Sequence, residues 1–205
     1  QKNRNNNIVN NSKNQYLLSL PFKGERTYLH STDIFPALLN ITGTVENLSI
    51  QFHKLTSKKL KAQFIYPADV EQLRKSKDIC ILMIFSRLGS QEIIAVNETT
   101  ELVIDREPYK EELVTYGSTI KDKEISQSNP KSGSFIQRAV GLNKKLLNSI
   151  AGKHSWLLTQ LDLEKAPVEP DELTLKLERV IGNLIYQSVI VGNGKIIGKI
   201  IFSKL

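Results

Sequence analysis

The sequence predicts an α+β fold in which one helix and several antiparallel strands form a unit that occurs twice. Three observations predict it: short apolar runs bounded by turn residues, two stretches with helical spacing, and the same order of elements in both halves. With 205 residues, 40% of them hydrophobic, the chain suffices for one large domain or two small ones. One cysteine and 24% charged residues exclude disulfide-stapled and fully disordered classes for most of the chain.

Ten short runs rich in Val, Ile, Leu, Tyr and Phe predict β-strands. They are Tyr16–Leu20, Leu48–Leu55, Leu60–Tyr66, Ile79–Phe85, Glu92–Asn97, Glu101–Ile104, Trp156–Leu163, Leu173–Val180, Leu184–Val191 and Lys195–Phe202. Apolar residues alternate with polar ones from Leu173 until Arg179, a pattern typical of antiparallel strands with one buried face. Turn residues at 88–90 and 192–194 predict two hairpins.

Two stretches predict helices. In the longer one, 134–150, apolar residues recur at spacings of three and four, with Ser134 suited to cap its start and Gly152 its end. The shorter one lies within 31–43, where Thr32 or Asp33 is expected as N-cap and Gly43 is expected to end the helix.

The order helix, strand pair, hairpin occurs from about Asp33 and again from about Ser134, which predicts two similar units. We assign residues 15–104 to the first unit and 134–205 to the second, which could borrow strands from 99–120. Residues 1–14 are Asn-rich and predict a disordered tail, because so few apolar side chains cannot offset the entropy of ordering. The charged, Ser-rich stretch 105–133 is expected to be a linker or loop.

The segment 24–33 places five ionisable side chains ahead of the short helix: Glu25, Arg26, Tyr28, His30 and Asp33. Here His30 suits a general acid or base because the ordinary pKa of histidine is close to neutrality, and Asp33 could orient it or act alone. The alternative is structural, with Asp33 capping its helix, His30 half-buried in the core and Arg26 paired with Glu25 or solvent. Both interpretations stay open at the level of sequence.

One helix followed by several antiparallel strands, present twice over residues 15–205, resembles the hotdog superfamily in its double-hotdog arrangement. The resemblance rests on element order and length. It implies two curled sheets, each wrapped around one helix, and an active site at a helix N-terminus where two units meet. Members act on acyl thioesters of coenzyme A or acyl carrier protein, mostly as dehydratases or thioesterases.

The resemblance implies His30 and Asp33 as catalytic residues, and we expect Arg26, Tyr28 and Asn143 to bind substrate. The chain departs from the dehydratase pattern, which draws one residue from each unit, because the second helix offers neither a carboxylate nor a histidine. Its polar candidates, Asn143 and Gln137, can position a carbonyl but cannot exchange a proton. This departure favours the alternative of a non-catalytic carrier-protein binding or scaffold module.

The 28 Lys and Arg outnumber the 21 Asp and Glu, and the net charge of +7 favours anionic partners such as coenzyme A or an acidic carrier protein. Aromatics among lysines at Phe52, Phe64 and Tyr66 also suit single-stranded nucleic acid, which we rank last. No histidine–cysteine cluster predicts a metal, and no cofactor is expected beyond the substrate's own carrier. The sequence further predicts a cytoplasmic protein without a membrane partner, and leaves a homodimer open.

Overall fold

The computed structural model describes the backbone of residues 8–12 and the whole of residues 14–66 and 70–205. The chain divides into two compact units, Gln1–Val45 with Ile50–Tyr109 and Glu46–Ser49 with Lys110–Leu205. Within the described residues, no helix combines the length and apolarity that a membrane span requires.

In its described residues, the first unit contains two helices and a mainly antiparallel sheet. Its elements are β1 (Ile8–Ser12), β2 (Gln15–Leu18), β3 (Phe22–Lys23), α1 (Ser31–Thr42), β4 (Val45–Phe52), β5 (Lys58–Ile65), α2 (Val70–Lys75), β6 (Ile79–Arg87), β7 (Ser90–Leu102) and β8 (Arg106–Glu107). The strand order in the sheet is β1-β2-β5-β7-β6-β4. Strands β3 and β8 form a separate parallel pair.

The apolar run at 79–85 lies in β6, and all seven side chains of this run are buried. A strand with both faces buried needs cover on both sides. One face has Leu82 and Ile84 in a cluster that Val70 and Leu73 of α2 pack against. We did not predict α2, because its two apolar side chains are separated by a single helical turn and give only a weak pattern.

The second unit has one long helix and a sheet in the order β11-β14-β13-β12-β10-β9. Its elements are α3 (Glu111–Val114), β9 (Thr119–Lys121), β10 (Glu124–Ser128), α4 (Phe135–Ala151), β11 (Trp156–Ala166), β12 (Glu172–Ile181), β13 (Ile185–Gly192) and β14 (Lys195–Lys204). Helix α4 buries its predicted stripe from Phe135 to Leu146, although Ile150 at its end is 38% exposed. All the strand pairs within this sheet are antiparallel.

Eight of the ten predicted strands and both predicted helices are present, with ends shifted by a few residues. The other two, Glu92–Asn97 and Glu101–Ile104, were predicted as separate strands but belong to one continuous strand, β7. Both hairpins are also present, and Leu88 and Asn193 adopt the positive φ values that tight turns require. The predicted C-terminal ends of both helices are confirmed: Gly43 and Gly152 are the C-cap residues, with positive φ values of 72° and 86°.

Three expectations need correction. Residues 8–12 of the expected tail form β1, which pairs with β2, whereas residues 1–7 and 13 lie outside the described residues. The expected linker 105–133 instead contains β8, α3, β9 and β10, because Ile125 and Gln127 alternate inward along a polar stretch whose composition masks the strand. Finally, His30 is the N-cap residue of α1 in place of Thr32 or Asp33, whose side chains are bound elsewhere.

Candidate functional site

The candidate site lies at the start of α1 in the first unit. Two backbone hydrogen bonds join β3 to the segment around β8, from the Phe22 N–H to the Asp105 carbonyl and from the Gly24 N–H to the Glu107 carbonyl (2.9 and 2.8 Å). The Arg106 guanidinium also donates to the carbonyls of Gly24 and Arg26. These bonds hold the loop before α1 in one conformation, so that its side chains meet the first turn of the helix.

Lys23 is at the centre of this site and is only 5% exposed. Its Nζ lies 2.6 Å from Asp33 Oδ1 and 3.3 Å from Thr32 Oγ1, and it stands 4.9 Å from the centroid of the Tyr109 ring. A buried ammonium requires such partners, since desolvating an unpaired charge is costly. We did not identify Lys23 from the sequence, because it directly precedes the segment 24–33 as a single lysine after the apolar Pro21 and Phe22, and nothing in that pattern predicts its contact with Asp33.

Asp33 combines an anchored oxygen with an unpaired one. Oδ1 forms an ion pair with the Lys23 ammonium, whereas Oδ2 is buried and has no hydrogen-bond partner. Burial raises the pKa of Asp33 above its ordinary value of 3.8, and the neighbouring Lys23 ammonium opposes that shift without cancelling it. A carboxyl group with a raised pKa and an unpaired oxygen is suited to accept or donate a proton.

His30 is 3% exposed and lies directly before the first turn. Its Nδ1 is 2.6 Å from Thr32 Oγ1, and its ring centroid is 5.9 Å from that of Tyr109. Because Thr32 Oγ1 also accepts a hydrogen bond from Lys23, a chain of polar contacts links His30 through Thr32 and Lys23 to Asp33. The structure therefore brings the two predicted catalytic residues into one network, through two residues that the sequence analysis did not select.

The predicted substrate-binding residues divide between the units. Arg26 places its guanidinium 5.2 Å from the Tyr109 ring centroid, and its charge acts to lower the pKa of Asp33. Tyr28 is half-buried in the same loop. Asn143 belongs to the second unit, where it is fully buried on α4 and both polar atoms of its amide lack a partner. A fully buried amide without partners is costly, so polar groups from a ligand would stabilise it.

The start of α4 differs from that of α1. Both carboxylate oxygens of Glu169 accept from the Phe135 N–H, at 3.1 and 3.0 Å, and the Ser134 N–H donates to Gln137 Oε1 at 3.0 Å. Helix α1, in contrast, has no side-chain hydrogen bond at its cap. The sequence analysis found no carboxylate on the second helix, but a loop supplies one. The chain's own acid therefore occupies the anion-favouring end of α4.

Arg138 of α4 is buried beside this end. Its Nε donates to Gln127 Oε1 at 3.1 Å and its Nη1 to the Pro170 carbonyl at 2.7 Å, whereas Nη2 has no partner. The Gln127 amide in turn donates to the carbonyls of Val114 and Tyr116. Burial lowers the pKa of Arg138 below its ordinary value. This network ties α3 and β10 to α4, and its role is structural.

The other two histidines belong to different units, His53 to the first and His154 to the second. His53 is exposed at the end of β4, and His154 stacks edge-on against Trp156. Within the described ranges 14–66 and 70–205, no group of three or more His, Cys, Asp or Glu side chains is placed to hold a metal ion.

Comparison with solved structures shows the fold. The chain superposes on the tesB protein of Mycobacterium avium subspecies paratuberculosis with a TM-score of 0.50 and 7% identity, covering 96% of this chain and 94% of the other. A thioesterase-titled structure from Novosphingobium aromaticivorans gives a TM-score of 0.52 at 9% identity, covering 97% and 98%. An inactive mutant of the CurK dehydratase gives 0.50 at 9% identity, covering 97% of both chains.

These likenesses establish that the chain has a hotdog fold of the thioesterase- and dehydratase-like type. No protein-family model and no curated protein sequence matches the chain. The resemblance drawn from element order is thus confirmed for the fold. At identities of 7–9%, the reaction has to be argued from the site itself.

Proposed function

We propose that the chain is a double-hotdog enzyme that hydrolyses acyl thioesters of coenzyme A or acyl carrier protein at the start of α1. One observation supports this above the others: Asp33, in the first turn of a helix without a side-chain cap, has one oxygen paired with buried Lys23 and the other unpaired. The likeness to the thioesterase structure from Novosphingobium aromaticivorans, which extends over 97% of this chain, agrees with the proposal.

The helix start supplies the first part of the chemistry. The positive end of the α1 dipole and the N–H groups that precede Asp33 would stabilise the negative charge that develops on the thioester oxygen. The N–H groups of Asp33 and Ile34 already donate to the His30 carbonyl, at 2.9 and 3.2 Å. Asp33 supplies the second part. Its carboxylate removes a proton from a water molecule that attacks the carbonyl carbon, and the carbon–sulfur bond then breaks as the leaving thiolate takes up a proton.

Lys23 keeps this carboxylate usable. Burial alone favours the protonated acid, whereas the ammonium at 2.6 Å favours the ionised form that a base requires. His30, held by Thr32 at 2.6 Å, is the second proton carrier in the network. We favour hydrolysis over dehydration because the dehydratase pattern draws one residue from each unit, and α4 carries neither a carboxylate nor a histidine.

The experiment measures thiol release from a panel of acyl-coenzyme A and acyl-carrier substrates. We expect turnover by the unaltered chain and a loss of roughly a hundredfold or more in Asp33→Asn, the usual effect of removing a general base. The matched control is Asp105→Asn, an exposed carboxylate near β8, which should retain full turnover. Unchanged turnover in both Asp33→Asn and His30→Ala would refute the assignment, and formation of a 2-enoyl thioester without thiol release would indicate a dehydratase.

A non-catalytic carrier-binding module is the second candidate. Two observations favour it: His30 is almost entirely buried, and the chain's own Glu169 occupies the start of α4. Calorimetric titration with phosphopantetheinylated carrier protein distinguishes the two candidates. Saturable binding without any turnover would support the module, whereas turnover that depends on Asp33 would exclude it.

A further inference from the structure

A cavity lies in the first unit near the C-terminal end of α1, away from the Asp33 site at its start. It has a volume of about 470 Å³, and its wall includes Ile41 near the C-terminal end of the helix and Phe64 of β5. Ile41 lies eight residues after Asp33, about 12 Å farther along the helix, so this cavity is separate from the site at Asp33. Its size falls in the range of pockets that hold small molecules.

Three aromatic side chains form one part of the wall: Tyr16, Phe64 and Tyr66. The rings of Tyr16 and Phe64 meet edge to face with centroids 6.1 Å apart, which fixes the orientation of both. Tyr66 is 87% exposed and projects from the end of β5. An exposed tyrosine beside two ordered rings offers a planar ligand an aromatic face to stack on.

An ion pair forms another part of the wall. Arg87 Nε and Nη2 donate to the two oxygens of Glu92 at 2.8 and 2.7 Å, and the guanidinium carbon lies 5.8 Å from the Phe64 ring centroid. Arg87 Nη1 lies 3.4 Å from the Thr42 carbonyl oxygen. The charge of Arg87 is therefore already matched, and an anionic ligand would meet the Glu92 carboxylate as well as the guanidinium.

The pair still presents hydrogen-bonding capacity at its edge. A guanidinium has five N–H donors and a carboxylate has several lone pairs, and the neighbouring Gln91 amide adds both a donor and an acceptor. An aliphatic ligand would desolvate these groups without replacing their hydrogen bonds. A ligand that matches both walls therefore has an uncharged flat ring for the aromatics and a polar edge for Arg87, Glu92 and Gln91.

We propose that this cavity binds a neutral heteroaromatic ring with donors and acceptors on its edge, and that a purine nucleoside is the chemical class it takes. The assignment is independent of the thioester reaction, since it involves other residues at the other end of α1. It also gives a use for Phe64 and Tyr66, the aromatics that the sequence analysis noted among lysines.

Adenosine is the probe, titrated into the isotopically labelled full chain while backbone amide signals are followed by NMR. We expect saturable shifts centred on Gln91, Glu92 and Tyr66. Tyr66→Ala should weaken binding by roughly tenfold or more, in line with the loss of one stacking partner. The matched control is Tyr116→Ala, which removes an exposed tyrosine of the second unit and should leave the affinity unchanged.

Two further ligands distinguish the chemistry. Adenosine monophosphate should bind no more tightly than adenosine, because Arg87, the cation among the described residues that line the cavity, is already paired with Glu92. Decanoate should not displace adenosine. The proposal is overturned if adenosine causes no saturable shifts at these residues, if the monophosphate binds distinctly more tightly, if decanoate displaces adenosine, or if Tyr66→Ala and Tyr116→Ala weaken binding equally.

Discussion

The Lys23 ammonium and the Asp33 carboxylate form a 2.6 Å ion pair in which the lysine side chain is 6% exposed and the aspartate 20%. The pair is unequal, since Lys23 also contacts Thr32 and the Tyr109 ring, whereas Oδ2 of Asp33 has no hydrogen-bond partner. Desolvation therefore outweighs the attraction, and the pKa of Asp33 stays above its ordinary value despite the adjacent cation.

Replacing Lys23 should raise the pKa of Asp33 further. In Lys23→Met the hydrogen bond and the charge that oppose desolvation are removed, while the apolar stem is kept. The measurement is the titration of the Asp33 carboxyl carbon by NMR. Lys59→Met, which removes a half-buried lysine paired with Glu101 instead, serves as the control and should leave the Asp33 midpoint in place. An equal midpoint in Lys23→Met and the unaltered chain would contradict the account.

The same shift predicts how Asp33 affects stability as pH changes. Its folded pKa lies above 3.8, the value expected in the unfolded chain, so the folded state binds the proton more tightly. The stabilising contribution is complete below pH 3.8 and is lost as pH rises through the raised pKa. The free energy of unfolding of the unaltered chain minus that of Asp33→Asn should therefore fall from acid to neutral pH. Urea unfolding at a series of pH values measures it, and a difference that grows toward neutrality would be incompatible with a raised pKa.

The strands and the two long helices were predictable because hydrophobic periodicity determines them locally. The alternation from Leu173 and the continuous apolar run at 79–85 each imply a particular burial, and the structure has both. The site was only partly predictable. His30 and Asp33 lie three residues apart and could be chosen from the sequence. Lys23 contacts Asp33 in a fold where β3 pairs with β8, and that pairing involves only two residues of each strand, which is too short a pattern to predict. Glu169 was missed for a similar reason, since 34 residues separate it from the helix end that it binds.

Arg138 should be among the most costly residues to remove in the second unit. Its truncation in Arg138→Ala deprives buried Gln127 and the Pro170 carbonyl of their donors and leaves a large void in a fully buried position. We expect the free energy of unfolding to fall by about 3–5 kcal/mol, from the void together with the two buried acceptors left without donors. The control is Arg179→Ala on the exposed end of β12, where a change within about 0.5 kcal/mol is expected. Similar losses in the two variants would show that burial does not set the contribution of Arg138.

Glu169 should stabilise α4 through its charge as well as its hydrogen bonds. Glu169→Gln keeps an oxygen that can accept from the Phe135 N–H but removes the negative charge from the positive end of the helix and from the neighbourhood of Arg138. Because the side chain of Glu169 is exposed, we expect a loss of only about 0.5–1 kcal/mol at low ionic strength, and a smaller loss at high salt, where the charge is screened. Chemical unfolding at two salt concentrations measures this loss, with Glu164→Gln, an exposed glutamate of β11, as the matched control. A loss that does not depend on salt, or an equal effect of Glu164→Gln, would contradict this prediction. In either case the negative charge of Glu169 would contribute nothing specific to the stability of the α4 N-terminus.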